Sequence, residues 1–429
     1  MALVEQAICT IEKVNFQGLG EGKTEQGPVR LPYVLPGDVA EFERHAYRGK
    51  SETILKNIVE KNASRKEPVC QYFGACGGCL LQHFLDEDYA KFKVGMLENA
   101  LKEMLYIPNV ILPLITVPFG QRRRANMNGV KKNDQVYLGF HRFHSHQIIN
   151  LDYCPSLLPE LSAIIAPLKK ALAVVMEDRE KLVLFVAKSA SGIDVSLEIH
   201  NRTFLEEHKR KVLKEFALEC NVGRLIFRYR KRVDVIHGDE SIPYVVFDGV
   251  EVAIDSHCFL QSSDMSDRVL GDMVVKYLTS HKEHVGCDVK ILDLFCGRGT
   301  YTIPLSRHAH VDGFECDAKA LRALGDAAQT NNLPITLKQR DLFSYPLTSE
   351  ELINYRKCII NPPRAGAEAQ IREITNSKIE EICYVSCSPE TFVRDAKILV
   401  ESGYTLVEVT PFDQFYYSPH LEVIGYFKK

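Results

Sequence analysis

The spacing of apolar and polar residues changes near residue 265: short alternating segments prevail before it, and longer apolar runs follow it. Over residues 1–62, short apolar segments such as 7–14 and 29–34 alternate with glycine-containing turns, a pattern typical of a small β-barrel. Many such barrels bind RNA and many do not. Residues 93–265 begin with an amphipathic helix, predicted at 92–105, and continue with alternating segments such as LVLFVA and GRLIFRY. This second stretch is interpreted as a mixed α+β domain.

Beyond residue 265 the apolar runs become longer and are separated by helical patterns. Strands are predicted at 290–295, 310–315, 335–339, 357–361, 382–386, 404–410 and 421–427. Alternating strands and helices predict a largely parallel, Rossmann-like sheet of seven strands that binds ligands beyond the carboxyl ends of its strands. The expected fold is therefore multidomain α/β: barrel 1–62, cysteine loop 63–92, central domain 93–265 and Rossmann-like domain 266–429.

Composition narrows the class of protein. The chain has 429 residues, 45% of them hydrophobic and 25% charged, which is typical of a globular protein with ordinary cores. No apolar run approaches the roughly 18 residues of a membrane span, and the first residues lack a signal-peptide pattern, so a cytoplasmic protein without membrane contact is expected. In that compartment the 13 cysteines should be thiols or metal ligands rather than disulfides. A net charge of −3 means that any nucleic-acid contact must come from local basic patches.

The stretch 290–300, KILDLFCGRGT, predicts a buried strand, a glycine-turned loop and the start of a helix. Gly297 and Gly299 permit positive φ and let a ligand approach bare backbone. A dinucleotide fingerprint would need a third glycine where the chain has Thr302, so a pyrophosphate ligand is poorly supported. Glu315, at the end of the next strand, can accept hydrogen bonds from both ribose hydroxyls, which favours an adenosyl ligand. The alternative is a simple tight turn between strand and helix.

Three cysteines stand within ten residues in the segment PVCQYFGACGGCLLQHF. Cys70, Cys76 and Cys79 have the spacing C-x5-C-x2-C, and Cys154 in LDYCPS is the best candidate for a fourth ligand. Four thiolates suit an iron–sulfur cluster or tetrahedral zinc, and the spacing does not decide between them. Chance clustering of buried thiols is the alternative.

Polar residues follow several of the later strands, so reactive groups are expected to gather at one sheet edge. They are Asp341, Asn361 in INPPRAG, Cys387 in YVSCSPET, and Glu422 beside the last strand. The dipole of the helix after Cys387, together with Arg364, is expected to lower the pKa of that thiol.

A thiolate beside a methyl-donor pocket indicates one reaction in particular. Carbon 5 of a pyrimidine becomes nucleophilic once a thiolate adds at carbon 6, and a base must then remove the proton from carbon 5. Glu422 is the expected base, with Asp413 and His420 as rivals.

Two basic stretches with nearby aromatic residues indicate possible RNA contacts. The first comprises Arg122, Arg123, Arg124, Lys131 and Lys132, near His141, Phe143 and His146; the second comprises Arg228, Tyr229, Arg230, Lys231 and Arg232, after Phe227. A solvated strand face explains each residue about equally well.

Taken together, these motifs resemble the iron–sulfur-containing RNA 5-methyluridine methyltransferases. DLFCGRG, NPPRAG, YVSCSPET and the ending HLEVI match the family's catalytic motifs, in order, and the four cysteines match its [4Fe–4S] ligand pattern. The resemblance implies a TRAM-type barrel, an RNA substrate, most naturally 23S rRNA, and action as a monomer. It implies S-adenosylmethionine as cofactor, with Cys387 as nucleophile and Glu422 as base. The expected cofactor-binding residues are Gln261, Phe295, Gly297, Gly299, Thr300, Glu315, Asp341 and Asn361.

Four positions depart from the family pattern. Asn361 replaces the usual Asp, and Thr300, Ser263 and Ser388 replace Asn. Three alternatives therefore stay open: a 5-methylcytidine methyltransferase, suggested by the string SCS; a transfer-RNA 5-methyluridine methyltransferase; and an RNA-binding assembly factor without activity. The NPP string is also used by amino-group methyltransferases, usually with an aromatic residue where this chain has Arg364.

Overall fold

The computed structural model describes residues 3–47, 50–103, 110–230, 232–238, 242–280 and 290–429. Positions 104 and 105 of the predicted helix 92–105 and Lys231 of the second basic stretch lie outside these residues. In the described part of the chain, no helix combines the length and the apolar character needed to cross a membrane.

The N-terminal segment forms one antiparallel sheet of five strands in the order β3-β2-β1-β4-β5. The strands are β1 (Leu3–Val14), β2 (Leu19–Thr24), β3 (Gly27–Pro32), β4 (Val39–Tyr47) and β5 (Lys50–Glu60). Alternate apolar residues such as Ile11, Leu31 and Phe42 are buried on one face. The two end strands approach each other, since the Thr53 hydroxyl donates to the Arg30 carbonyl at 3.0 Å. The alternating pattern thus produces a strongly curled sheet.

The middle of the chain contributes a six-stranded sheet in the order β13-β12-β11-β10-β8-β9. The elements of this middle part of the chain, not all of which belong to the six-stranded sheet, are α1 (Asp86–Glu103), β6 (Val110–Ile111), β7 (Ile115–Thr116), β8 (Arg124–Lys132), β9 (Gln135–Gly139), α2 (Pro159–Ala163), α3 (Ile165–Val175), β10 (Lys181–Ser189), β11 (Gly192–Ile199), α4 (Glu207–Glu219), β12 (Val222–Tyr229), β13 (Arg232–His237), β14 (Tyr244–Phe247) and β15 (Val250–Ala253). Helices α2, α3 and α4 cover this sheet through residues such as Leu161, Leu168 and Leu213, all fully buried. Strands β14 and β15 form a separate hairpin.

The C-terminal segment alternates strands and helices around a second, larger sheet. Its elements are α5 (Asp264–Thr279), β16 (Lys290–Leu294), α6 (Thr302–Ser306), β17 (His310–Glu315), α7 (Ala318–Thr330), β18 (Ile335–Gln339), β19 (Lys357–Ile360), α8 (Glu368–Thr375), β20 (Glu381–Ser386), α9 (Pro389–Glu401), β21 (Thr405–Asp413) and β22 (Glu422–Lys428). The sheet order is β18-β17-β16-β19-β20-β22-β21, and the first five strands are parallel. All seven predicted strands are present, and the prediction of a largely parallel sheet is confirmed.

Two features of this sheet bear on the site. Strand β22 is antiparallel and lies between β20 and β21. Residues from earlier in the chain also join the unit: β6 and β7 pair with β21, and α1 places Leu97 and Leu101 in the same hydrophobic core. The C-terminal sheet is therefore completed by residues that lie far away in sequence.

Candidate active site

A cavity of about 520 Å³ opens at the carboxyl ends of β16, β17, β19 and β20. It is lined by eight of the residues that the sequence singled out: Phe295, Gly297, Thr300, Glu315, Asp341, Asn361, Cys387 and Glu422. Gln261 and Gly299 are not among its lining residues. The polar residues expected at one edge of the sheet do gather there, because parallel strands end on the same side.

The loop after β16 depends on unusual backbone conformations. Phe295, Gly297 and Gly299 have φ values of +64°, +54° and +95°. A Cβ on Gly299 would stand 2.5 Å from a methyl carbon of Leu324, so this glycine is required by packing as well as by φ. The freed backbone N–H of Gly297 donates to Glu315 Oε2 at 3.2 Å, which ties the loop to the end of β17.

Two carboxylates and two aromatic rings form one end of the cavity. Glu315 Oε1 accepts from the backbone N–H groups of residues 316 and 317, at 2.7 and 2.9 Å. Hydrogen bonds from the Ser344 hydroxyl and from backbone N–H groups lower the pKa of Asp341. The rings of Phe295 and Phe343 lie 5.4 Å apart with a tilt of 52°. Oriented carboxylates beside an apolar surface suit a nucleoside, whose hydroxyls need acceptors and whose base needs a stacking face.

Cys387 and Glu422 are neighbours across two paired strands. Ser386 of β20 pairs with Val423 of β22 in antiparallel register, so the next residue on each side is Cys387 or Glu422. Glu422 is only 3% exposed, and burial raises its pKa to about 7, although its hydrogen bond from Gln414 acts in the opposite direction. A carboxyl group of this kind can exchange a proton near neutral pH.

The expectation of a lowered pKa for Cys387 is wrong. Burial, and after it the negative charge of Glu422, raise the pKa of this thiol, and Arg364 opposes them only in part. Sequence reasoning considered the helix N-terminus and the arginine but not the loss of solvent, which is the larger effect here. Cys387 is therefore a thiol at neutral pH and must lose its proton before it can act as a nucleophile.

The rival acid–base groups have other partners. The Asp413 carboxylate accepts from Lys93 Nζ at 2.9 Å and from the Tyr89 hydroxyl at 2.5 Å, and both side chains of the ion pair are fully buried. His420 is exposed and contacts Arg364 at 3.4 Å, and partial desolvation, followed by the charge of Arg364, lowers its pKa to about 4. Neither residue lines the cavity, which leaves Glu422 as the available carboxylate beside Cys387.

Among the cavity residues that the sequence did not single out, two have contacts that bear on the site. Gln414 donates to Glu422 Oε2 at 2.8 Å, and Phe343 forms the aromatic surface described above. Phe343 stands two residues after Asp341, where an aromatic residue at a strand end offered a weak signal. Gln414 carries no such signal, because its partner lies eight residues away and a chain reversal separates the two.

The four cysteines line a second cavity, of about 150 Å³. Burial is the main reason that the pKa of Cys76 rises to about 11 and that of Cys79 to about 12, and the other thiols of the set raise both further. The four thiols therefore lie close enough together for the charge of one thiolate to raise the pKa of another. Among the described residues, however, no three Cys, His, Asp or Glu side chains converge in an arrangement that would hold a metal ion.

The loop that carries these cysteines contacts the segment that leads to Glu422. The backbone N–H groups of Leu80 and Leu81 both donate to the Tyr417 carbonyl, at 2.9 and 3.0 Å. Tyr417 itself has φ +63°, and the Tyr89 hydroxyl accepts from its backbone N–H at 2.8 Å. The cysteine loop and α1 therefore both hold the backbone at Tyr417, five residues before Glu422.

Two of the basic residues expected to contact phosphates are structural instead. Arg123 is buried and forms ion pairs with Asp264 and Asp267, which join β8 to α5. Lys131 is also buried and donates to the carbonyls of Ala173 and Met176, at 2.7 and 2.9 Å. The expectation is wrong for these two because their charges are neutralised or solvated by the protein itself.

Comparison with known proteins bears on the whole length of the chain. A family model described as tRNA (Uracil-5-)-methyltransferase matches residues 336–429. An uncharacterised RNA methyltransferase of Agrobacterium fabrum is 33% identical over 428 residues, covering 98% of this chain and 99% of that protein. The 23S rRNA (uracil(1939)-C(5))-methyltransferase of Halomonas elongata is 28% identical, covering 94% of this chain and 84% of that protein.

Among solved structures, the Pyrococcus abyssi tRNA (uracil-54, C5)-methyltransferase in complex with S-adenosyl-L-homocysteine has a similar fold. The TM-score is 0.73 at 22% sequence identity, and the match covers 98% of this chain and all of the other.

Proposed function

This chain belongs to the family of RNA uracil-5-methyltransferases, and from that premise we propose that it methylates carbon 5 of a uridine in 23S rRNA. The single observation that carries the proposal is the placement of Cys387 and Glu422 side by side in the cavity that the glycine loop also lines. The 23S rRNA assignment draws on the Halomonas elongata relative, whose name gives that substrate.

S-adenosylmethionine is the proposed methyl donor. The residues that would hold it are Gly297, Glu315 and Asp341, with the rings of Phe295 and Phe343 beside them. When bound, this donor supplies an electrophilic methyl group. The cavity volume of about 520 Å³ lies within the range of small-molecule and cofactor sites.

The reaction would proceed through a covalent enzyme–RNA adduct. Cys387 releases its proton to solvent and its sulfur forms a bond to carbon 6 of the uracil, which moves the electrons of the 5,6 double bond onto the carbonyl at carbon 4. Carbon 5 then takes the methyl group, and the bond between that methyl group and the donor's sulfur would break. Glu422 removes the remaining proton from carbon 5, the double bond re-forms, and the bond between Cys387 and carbon 6 breaks. The uridine must leave its stack to reach the cavity, at a cost of a few kcal/mol.

Two of the four sequence departures are compatible with an active enzyme. Ser263 and Ser388 are the N-cap residues of α5 and α9, and their hydroxyls accept from the backbone N–H groups of Ser266 and Thr391. Serine and asparagine are about equally good N-caps, so these replacements preserve the same local structure. They therefore do not favour the inactive-factor alternative.

Nucleoside mass spectrometry tests the proposed reaction and its substrate. RNA from a strain that lacks the gene should lose one 5-methyluridine, which maps to 23S rRNA and returns when the gene is restored. Loss from transfer RNA instead would reassign the substrate, and loss of 5-methylcytidine would reassign the base. Unchanged methylation of all RNA would contradict the proposal.

Purified variants test the proposed role of Cys387. Cys387→Ala should lose methyl transfer by at least about a hundredfold, because it removes the thiol that lies beside Glu422 and would add to carbon 6. Cys220→Ala is the matched control, since Cys220 is a half-buried cysteine outside the cavity. A Cys387→Ala enzyme that methylates RNA at the wild-type rate would eliminate the covalent mechanism.

We also propose that Cys70, Cys76, Cys79 and Cys154 hold a [4Fe–4S] cluster. Support comes from the four thiols, which line one cavity of about 150 Å³, and from the chemistry of four soft thiolates, which suits an iron–sulfur cluster. The cluster would serve as a structural cross-link for the loop that donates to Tyr417.

Anaerobic purification with iron and zinc analysis tests the cluster. The wild-type protein should contain iron and show broad visible absorbance, and Cys79→Ser should lose both. Cys220→Ser, a half-buried cysteine outside the cavity, should retain them. Stoichiometric zinc in place of iron would contradict the assignment.

A further inference from the structure

A buried hydrogen-bonded chain runs behind the catalytic cavity, and Gln414 is its central member. Gln414 Nε2 donates to Glu422 Oε2 and to Gln261 Oε1, both at 2.8 Å. Gln414 Oε1 accepts from the backbone N–H of Ser262 at 3.0 Å, and Gln261 Nε2 donates to the Tyr301 hydroxyl at 3.4 Å. All of these side chains are at least nine-tenths buried.

The direction of this chain is fixed by its backbone member. An N–H group can only donate, so the Ser262 N–H requires the oxygen of the Gln414 amide to face it. The amide nitrogen of Gln414 must then point the other way, towards Glu422 and Gln261. Its two hydrogens are both used, one for each partner.

This arrangement makes the two carboxylate oxygens of Glu422 unequal. Oε2 accepts from Gln414, whereas within the described residues no hydrogen bond reaches Oε1. A proton taken up by Glu422 therefore adds at Oε1, the oxygen that is free to face a substrate in the cavity. The hydrogen bond to Gln261 holds the same amide in place, so the carboxylate cannot rotate without breaking its own hydrogen bond from Gln414.

We propose that Gln414 is a positioning residue that selects Oε1 of Glu422 as the proton acceptor and holds that atom towards carbon 5 of the bound uridine. The inference rests on the proposed function, in which Glu422 removes the carbon 5 proton. Gln414 acts only through Glu422 and Gln261. Its loss impairs the proton-removal step and leaves the addition of Cys387 to carbon 6 intact.

The central test compares adduct formation with turnover in Gln414→Met and Gln414→Glu. Gln414→Met keeps the length of the side chain and removes all of its hydrogen bonds, and Gln414→Glu keeps the acceptor for Ser262 but removes both donors. Turnover should fall about tenfold to a hundredfold in each variant, the range expected when a catalytic group is misplaced. The covalent enzyme–RNA adduct, resolved on a denaturing gel, should form at the wild-type rate and then accumulate.

The pH dependence gives a second readout that simple loss of packing would not move. Gln414 stabilises the charged form of Glu422, so without its donors the acid limb of the rate profile should shift to higher pH in both variants.

Gln370→Met is the matched control for the loss of a buried amide. Gln370 is 1% exposed, and its side chain bonds to both backbone groups of Leu347, away from the cavity. It should lose stability without accumulating adduct or shifting the acid limb.

The outcomes separate this inference from the proposed function. If Cys387→Ala and Glu422→Gln lose turnover while both Gln414 variants retain wild-type kinetics, only the role of Gln414 is overturned. Equal losses of adduct formation and turnover in both Gln414 variants would also overturn it, since they indicate general misfolding of the site. If Cys387→Ala remains active, the failure lies in the proposed function itself.

Discussion

Burial of the Glu422 carboxyl group makes it able to exchange a proton near neutral pH, and it also lowers the stability of the folded protein. Burial raises the pKa of its carboxyl group from 4.5 to about 7. In the unfolded chain the group loses its proton near 4.5, so between pH 4.5 and 7 the unfolded state binds fewer protons than the folded state. Stability therefore falls as pH rises through this window, by about 3 kcal/mol in total, and the cost is complete above pH 7.

Glu422→Gln should remove this cost. The free energy of unfolding of the variant is expected to exceed that of the wild type at pH 8 by up to about 3 kcal/mol, and to be nearly equal to it at pH 4.5. The reason is that the amide is neutral at both pH values, so no charge has to be buried when the chain folds. Urea unfolding followed by circular dichroism measures the difference, since the chain contains no tryptophan for fluorescence. A variant that is less stable than the wild type at pH 8 would show that the carboxylate is better solvated than its burial indicates.

The residues of the site were predictable where chemistry is local in sequence. Cys387 and Glu422 were expected from their positions beside strand ends, and the structure places them in the same cavity. The direction of the pKa of Cys387 was not predictable, because desolvation depends on everything packed around the thiol. Gln414 was missed for a related reason: its role follows from three partners that only the folded chain brings together.

In the glycine loop after β16, Gly299 is required mainly by packing, whereas Gly297 lines the cavity. Gly299→Ala should cost about 1–3 kcal/mol of stability, because the new Cβ would stand 2.5 Å from Leu324 at φ +95°. Gly297→Ala has no atom within 4 Å of the new Cβ and a φ of +54°, so its cost should be only about 1 kcal/mol.

Thermal unfolding and S-adenosylmethionine binding, measured by calorimetry on both variants, separate the two duties. We expect Gly299→Ala to lose mainly stability and Gly297→Ala, which lines the cavity, to lose mainly affinity. Equal melting temperatures for the two variants would contradict the packing argument.

At the element scale, the sequence predicts which strands exist better than it predicts where they lie. The strands of the C-terminal sheet were predictable within a few residues, because buried strands are marked by apolar runs between helical patterns. The insertion of β22 between β20 and β21 was not, since periodicity carries no information on strand order. For the same reason, the sequence assigned residues 93–116 to the central domain, whereas α1, β6 and β7 pack on the C-terminal sheet.

The whole molecule is held together by these long-range contacts. A fragment of residues 266–429 lacks α1, so the core residues that face Leu97 and Leu101 would be exposed, and β21 would lose β6 and β7. Removing one buried leucine costs about 2–5 kcal/mol, which is comparable to the total stability of many domains. We expect this fragment to be aggregated or molten.

Circular dichroism melting of the fragment and of the full chain measures the difference. A cooperative transition in the fragment, at the melting temperature of the full chain, would show that the C-terminal unit is self-sufficient.

The position of β22 has a consequence for biosynthesis. Strand β22 lies between β20 and β21, so the sheet cannot be completed before the ribosome has made the residues from 422 onwards. Until then, the edge of β21 that will pair with β22 has no partner strand. Exposed edges of this kind invite association with other chains, so the nascent protein passes through an interval in which chaperone protection matters most. The segment that closes the sheet also delivers Glu422, and the chain therefore completes its fold and its candidate site in the same event.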